Sequence, residues 1–589
     1  MNEAYLPYIM LAVYLAAAFP ILKKAVRNIR YGEIFDENFL MCVASIGAMI
    51  LGEYVEGIAV MVLYRLGEYL QDKAVDRSRA SISALMDIRP DYANVERDGE
   101  LVRVSPEELE AGTIITIKPG ERVPADGIVT EGSSSLDTSA ITGESLPRDA
   151  APGSEVYSGT INLQSVLKVR VTAPASESTA ARILDLVENA VSRRAKAEKF
   201  ITKFARYYTP SVCGAAALLA VIPPLFFKQA WSVWVKRGLI FLVVSCPCAL
   251  IISIPLGFFA GIGAASSRGI LVKGGNYLEA LTKVDTLVFD KTGTLTRGVF
   301  SVSSVEPAEG VRAEDLIELA AYAESYSDHP ISRSLADSFA GEIDSSLVSE
   351  AEEIAGMGVR AVVKGRTISC GNLRLMESLG LSPDSSDIAG TAVYVAEDGR
   401  YMGRIIISDE IKSDSADAMK ALKAQGLKKL VMLTGDRKPI ADKVAAELGL
   451  DEVYSELLPQ DKVDITKQLK KELPEKRILG FVGDGINDAP VLAASGLGIA
   501  MGGMGSAAAV EAADIVLMND RPSDVATAVK IAKKTMRIIN EDIGFSLFVK
   551  LGVLLLAALG HANMWLAIFA DVGVCMIAVL NSMRALRVK

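Results

Sequence analysis

The chain has 589 residues, 50% of them hydrophobic, with a mean hydropathy of +0.30 and a formal net charge of −10. That acidic balance argues against nucleic acid as the partner. The six cysteines lie far apart except for one Cys-Pro-Cys, which argues against a disulfide framework.

Apolar residues fall in blocks, the pattern of membrane spans joined to soluble domains. Seven stretches approach the ~20 residues that cross a bilayer. They are 4–22, 37–53, 54–73, 207–227, 236–258, 541–560 and 563–583. The N-terminus has no basic leader and no small-residue cleavage site, so its apolar stretch reads as a first membrane helix. Basic residues follow the first span (Lys23, Lys24, Arg27, Arg30) and the third (Lys73, Arg77, Arg79), precede the fourth, and close the chain. The positive-inside rule then puts both large soluble inserts in the cytoplasm. Glu53 and Glu56 fall in a tight external turn, while Lys236 and Arg237 lie on the side the rule disfavours. Pro20 and the basic run behind it predict a first helix that turns onto the membrane surface, against anionic lipid. Glu68 is an acidic residue inside the third span.

Residues 80–185 read as β-rich, with strands at 93–97, 101–104 and 113–117 followed by Gly/Pro turns. Thr142-Gly143-Glu144-Ser145, read by itself, is a turn. In the fifth span, Cys246-Pro247-Cys248 must open the helix, because proline removes a backbone N–H and clashes with the preceding turn. Two soft thiols at such a break form a ligand pair for zinc, cadmium, lead or cuprous copper.

Between spans five and six, alternating strands and helices predict a doubly wound α/β domain. The apolar run Thr286–Phe289 ends in Asp290-Lys291-Thr292-Gly293-Thr294, placing a carboxylate at a strand end, where such folds bind ligands. A carboxylate there can attack the terminal phosphate of ATP and hold it as an aspartyl phosphate. Thr434-Gly435-Asp436 and Gly483-Asp484-Gly485-Ile486-Asn487-Asp488 also follow apolar strands, and Lys462 supplies a cation. Phosphoryl transfer needs this kind of positioning and charge neutralisation. Asp290 and Asp484 are hard oxygen ligands for Mg²⁺, and Lys462 with Thr434 would hold the phosphoryl oxygens.

The insert at 300–405 contains His329-Pro330, a helix entrance on its own, with Glu324 before it and Gly356, Gly358 and Gly371 after it. In the last spans, Lys550 lies deep in an apolar helix and Asp571 near the start of the next. Charges in spans cost at least ~2.5–3.5 kcal/mol each, so they are paired or functional.

In this order the motifs resemble those of the heavy-metal-transporting P-type ATPases (type IB), over nearly all of the chain. The resemblance implies a multi-domain membrane protein with an α-helical transmembrane bundle (1–79, 186–283 and 531–589) and a β-rich actuator domain (80–185). It adds an α/β haloacid-dehalogenase-like phosphorylation domain (284–299 and 406–530) and an α+β nucleotide-binding domain (300–405). By this resemblance ATP phosphorylates Asp290, Glu144 positions the hydrolytic water, and Asp290, Thr292 and Asp484 hold Mg²⁺. Thr434, Gly435, Asp436, Lys462, Asn487 and Asp488 complete the catalytic set, and Glu324, His329, Gly356, Gly358 and Gly371 hold the nucleotide.

The lysine and the Asp-x-Gly sequence resemble the zinc/cadmium/lead-exporting subgroup. That implies a transport site of Cys246, Cys248 and Asp571, Lys550 as counterion, and Glu68 on the outward path. Cuprous exporters would show Asn/Tyr and Met/Ser in these helices, and a non-pumping membrane metal sensor would not need the full catalytic set. The family normally has eight spans and often an N-terminal Cys-x-x-Cys domain, so the expectation here is a form without the first helix. The implied partners are membrane lipid, ATP, and metal ions or a cytoplasmic metal carrier. A monomer in the cell membrane with cytoplasmic catalytic domains is expected.

Overall fold

The computed structural model describes residues 6–31, 37–85, 90, 92–97, 100–142, 147–181, 196–227, 230–245, 248–327, 330–354, 356–383, 391–484, 488–502 and 511–587. The chain divides into two compact units, one of residues Met1–Thr282 with Ala528–Lys589 and the other of Lys283–Thr527.

In the first unit, five helices are long and apolar enough to cross a membrane. They lie within Tyr8–Arg30, Tyr207–Phe226, Trp231–Ser266, Ser523–Leu559 and Met564–Leu586. The other two expected spans are helical too, but differ in kind. Glu37–Ile50 has 14 residues, about 21 Å of helix against a hydrocarbon core of about 30 Å. Tyr54–Leu85 has 32 residues, but its first six turns carry Glu56, Arg65, Glu68, Asp72 and Lys73. All of these helices except Tyr207–Phe226 share one core, in which Tyr14, Ile21, Met41, Met61, Val244 and Ala567 are buried.

The external turn also accounts for the misplaced cation. Lys236 Nζ lies 2.7 Å from Glu53 and 3.3 Å from Glu56, so the two acidic residues compensate it locally. In the fifth span the helix Trp231–Val244 ends at a turn on Ser245, and the next described helix is Cys248–Ser266. Cys246 and Pro247 lie outside the described residues, as does the side chain of Cys248. The last span contains a feature that periodicity did not reveal: Phe569–Gly573 forms a wide π-turn between Met564–Ile568 and Val574–Ser582.

The same unit contains the β-rich domain. A six-stranded sheet runs in the order Glu100–Val104, Ala93–Arg97, Ile114–Ile117, Leu167–Val171, Gly127–Glu131, Glu155–Val156, with all neighbours antiparallel. The three strands read from the sequence all form. Alternation drives Val95, Ile115, Ile117, Val129, Leu167 and Val169 into one core.

The second unit holds two sheets. Parallel strands run in the order Ile515–Leu517, Leu497–Ala500, Ile478–Gly483, Val284–Asp290, Lys429–Leu433, Glu452–Tyr454. The Val284–Asp290 strand is buried along its whole length, as expected for a strand covered on both faces. The insert is a six-stranded antiparallel sheet backed by helices Ala313–Glu324 and Pro330–Ser338. Its outer pair, Thr296–Pro307 and Arg400–Ile411, is in register from Thr296↔Ile411 to Pro307↔Gly403. The pair therefore starts at the loop after Asp290, closer to it than residue 300.

Candidate active site and intramembrane ion site

Sheet register brings the phosphate-site motifs together. Asp290 pairs with Leu433, Phe289 with Val482, and Gly483 with Ala500. Asp290, Thr434 and Asp484 therefore leave the sheet at one carboxyl edge, where open α/β sheets bind ligands. Lys462 reaches this edge from the first turn of helix Pro459–Glu472, which starts with proline at its first position. Its ammonium lies 2.5 Å from Asp290 Oδ1 and 3.3 Å from Asp488 Oδ1. Gly293 has φ +72°, and a methyl group there would come within 3.2 Å of Asp484 Oδ2, so the glycine lets the two loops meet.

Burial, reinforced by the Asp488 charge and only partly opposed by Lys462, pushes the Asp290 carboxyl up to about 7. Burial likewise raises Asp488. Burial would lower the Lys462 ammonium, but Asp290 and Asp488 outweigh it and hold it above its usual range. Asp488 Oδ2 is buried and has no hydrogen-bond partner among the described residues. The lone pairs left over here are carboxylate oxygens, which suit a hard divalent cation. Among the described residues, no group of three or more His, Cys, Asp or Glu forms a ready metal cluster. That fits a cation held by one or two carboxylates and a phosphate rather than an all-protein cage.

Thr434 is buried, and its hydroxyl accepts the Asp436 N–H at 3.1 Å, closing the turn around Gly435. Asp436 pairs with Lys291 at 2.6 Å. Thr292 is solvent-exposed. Asn487 and Glu144 lie outside the described residues; Glu144 falls between helix Ser139–Thr142 and strand Arg148–Ala150.

Sequence reasoning missed the clamp on the catalytic loop. Buried Lys412 donates to the Gly293 carbonyl at 2.8 Å and to Asp520 at 2.6 Å. Ser415 Oγ donates to the Leu295 carbonyl at 2.8 Å. Thr296 Oγ1 bonds Asp409 at 2.5 Å. The signal was present: Asp409 and Lys412 are charges at the end of the apolar strand Arg400–Ile411.

In the insert, a cavity of about 290 Å³ is lined by Glu324, Ser332, Glu353, Gly356, Gly358 and Gly371, among others. His329 lies outside the described residues. Glu324 is 5% exposed and accepts from Ser332 Oγ at 2.6 Å. Two of the glycines have a different reason from the one expected. Gly358 pairs with Gly371, and a Cβ would come within 2.1 Å of Cys370 O at the first and 2.2 Å of Met357 O at the second. Close strand approach requires them, whereas Gly356 faces open space at φ +70°.

Inside the membrane bundle, Lys550 Nζ donates to Asp571 Oδ1 at 3.0 Å and lies 3.4 Å from the Val244 carbonyl. The lysine and aspartate side chains are 4% and 3% exposed. Val244 is the last residue of the helix before the Cys246-Pro247 break, so Lys550 caps a carbonyl at the end of that broken helix. Asp571 sits in the π-turn, fully inside the bundle although near the start of its helix. Cys575, four residues on, is a buried cysteine that sequence reasoning did not single out. Glu68 bonds Lys24 of the first helix at 2.5 Å, so the basic stretch behind Pro20 also contacts the third helix.

Comparison with known proteins agrees with this geometry. The P-type ATPase actuator domain family matches residues 87–188, and the haloacid dehalogenase-like hydrolase family matches residues 284–496. A cadmium, zinc and cobalt-transporting ATPase of Bacillus subtilis (strain 168) is 54% identical over 99% of this chain and 83% of its own length. A zinc-transporting ATPase of Synechocystis is 50% identical over 98% of this chain and 80% of its own. The crystal structure of a zinc-transporting PIB-type ATPase in the E2.Pi state superposes with a TM-score of 0.62 at 35% identity, covering 100% of this chain and 96% of that one. The buried strand-end aspartate with its lysine and the intramembrane Lys550–Asp571 pair thus belong to a multi-pass membrane protein, and the chain is a member of the P-type ATPases, in the PIB-type zinc- and cadmium-transporting branch.

Proposed function

We propose that this protein uses ATP to export a soft divalent metal ion, zinc with cadmium and lead as alternatives, from the cytoplasm across the cell membrane as a monomer. The observation that carries the reading is the Asp290 carboxylate at the end of a buried strand, 2.5 Å from Lys462, beside an Asp488 oxygen that has no partner among the described residues.

An oxygen of Asp290 attacks the γ-phosphorus of ATP; the new P–O bond forms as the bond to ADP breaks, leaving an aspartyl phosphate. Lys462 neutralises the phosphoryl oxygens, and Thr434, Gly435, Asp436, Asn487 and Asp488 position them. Asp290, Thr292 and Asp484 would hold Mg²⁺, which supplies charge neutralisation between the phosphates. Water oriented by Glu144 then attacks phosphorus, returning Asp290 and releasing phosphate. Glu324, His329 and the neighbouring glycines hold the nucleotide.

Cys246, Cys248 and Asp571 bind the transported ion, a sulfur/oxygen set suited to a borderline divalent metal. Lys550 neutralises Asp571 when metal is absent and opposes re-binding once metal has left. Glu68 lies on the outward path. Metal arrives free or from a cytoplasmic carrier. A cuprous exporter is the weaker reading, because an ammonium–carboxylate pair at the site is hard where copper(I) is soft. Coupling requires that metal occupancy and phosphorylation bias one shared equilibrium.

The test is ATP hydrolysis by purified protein against a panel of metals, with Asp290→Asn as the blank. Zinc and cadmium should stimulate turnover, and the blank should lose on the order of 10³-fold or more. Stimulation by copper(I) alone, or zinc uptake into vesicles by the blank, would overturn the reading.

A further inference from the structure

We propose that Ser332 positions Glu324 as the hydrogen-bond acceptor for the exocyclic amine of adenine, so that this serine sets the preference for ATP over GTP. The inference rests on the insert being the nucleotide site.

Glu324 ends helix Ala313–Glu324, and Ser332 lies in the first turn of helix Pro330–Ser338. Their side chains meet at 2.6 Å, with the residues 5% and 2% exposed, and both line the cavity. An adenosine moiety needs a space of about this size, within the lower end of ordinary ligand pockets. A carboxylate only accepts hydrogen bonds, at about four lone-pair sites. Ser332 donates to Oε2 and fixes the plane of the group, and no hydrogen bond is made to Oε1 among the described residues.

Adenine offers an amino donor at its C6 position, whereas guanine offers a carbonyl acceptor there. A fixed carboxylate therefore attracts the first base and repels the second. Without the hydroxyl, Glu324 is free to rotate, and burial together with the nearby Glu353 charge favours its protonation. A protonated carboxyl can donate to the guanine carbonyl and a rotated one no longer opposes it, so the discrimination falls. The two residues bridge consecutive helices, so the serine acts on the nucleotide only through Glu324.

The experiment measures KM and kcat for ATP and GTP in zinc-stimulated turnover of the full chain, comparing wild type, Ser332→Ala and Ser332→Thr. Uptake of label from inorganic phosphate at Asp290, the back reaction that needs no base, shows that each variant is folded. If Ser332→Ala fails that check, Ser332→Cys, with its weaker donor, carries the same measurement. The expected result is a drop in the ATP/GTP preference on the order of 10-fold, the size of one charge-assisted hydrogen bond, with the preference restored in Ser332→Thr. An unchanged ratio, or KM values for both nucleotides rising together, would overturn the proposal. A wild type that takes label from no nucleotide at all would instead sink the ATPase reading beneath it.

Discussion

The Lys462–Asp290 and Lys550–Asp571 pairs both hold a lysine ammonium within 3.0 Å of a buried aspartate, yet one is open and the other closed. At the sheet edge a single ammonium faces Asp290 and Asp488 together, with Asp484 in the adjoining loop. Negative charge is in surplus there, one carboxyl is pushed up to about 7, and one carboxylate oxygen has no partner among the described residues. In the bundle, one ammonium meets one carboxylate and spends another donor on the Val244 carbonyl. The first arrangement is left incomplete for cations and phosphate. The second balances its charge within the pair, as buried charges inside a membrane bundle must.

The largest effect expected from breaking that contrast is in the membrane. Lys550→Ala removes the cation beside Asp571, and deleting one partner of a buried ion pair costs roughly 3–5 kcal/mol where an apolar double replacement costs much less. Thermal unfolding in detergent should rank Lys550→Ala well below both wild type and the Lys550→Met, Asp571→Leu double variant. Equal stability of the single and double variants would mean that the pair is solvated. The single variant should also show impaired metal release or altered metal preference.

The phosphorylation site should give a smaller effect, and one that depends on pH. Because Asp290 titrates near 7 when no cation is bound, binding a divalent ion there must release a proton. Mg²⁺ affinity of the nucleotide-free protein should therefore fall by up to about tenfold per pH unit below that value. The sign for stability is the reverse. A carboxyl raised above its ordinary value contributes stability that is fully present below about pH 4 and lost as pH rises through about 7. Thermal shifts of chelator-treated protein with and without Mg²⁺, between about pH 6 and 8, measure both slopes. Asp290→Asn should flatten them, and a wild-type response independent of pH would contradict the surplus of charge.

The smallest effect belongs to the Glu68–Lys24 pair, whose side chains are 30% and 42% exposed. A pair that open contributes about 0–1 kcal/mol. Glu68→Gln should leave the melting temperature nearly unchanged, and any larger loss should appear in transport. An effect on stability comparable to that of Lys550→Ala would assign Glu68 to structure and not to the outward path.

The sequence made the catalytic edge legible because a parallel strand covered on both faces is a short apolar run, and the polar residue ending it is conspicuous. Asp290, Thr434 and Asp484 were found that way, and register unites them. Lys550 and Asp571 were visible as charges in apolar helices. What stayed hidden depends on contacts between distant segments. Lys412 reaches a carbonyl 119 residues earlier in the chain, and no local pattern announces such a bond. The π-turn at Asp571 leaves the composition of its span unchanged. Gly358 and Gly371 looked like ligand clearance, but they pair with each other across two strands. Ser332 sits at an unremarkable position in a polar helix, and only folding brings it to Glu324.

The ladder from Thr296↔Ile411 to Pro307↔Gly403 has a topological consequence. The whole insert is the elaborated tip of one long hairpin rooted beside Asp290, and no strand of the parallel sheet comes from it. The sheet edge that carries Asp290 and the insert are therefore separable modules, and the chain could exchange the insert without rebuilding the sheet.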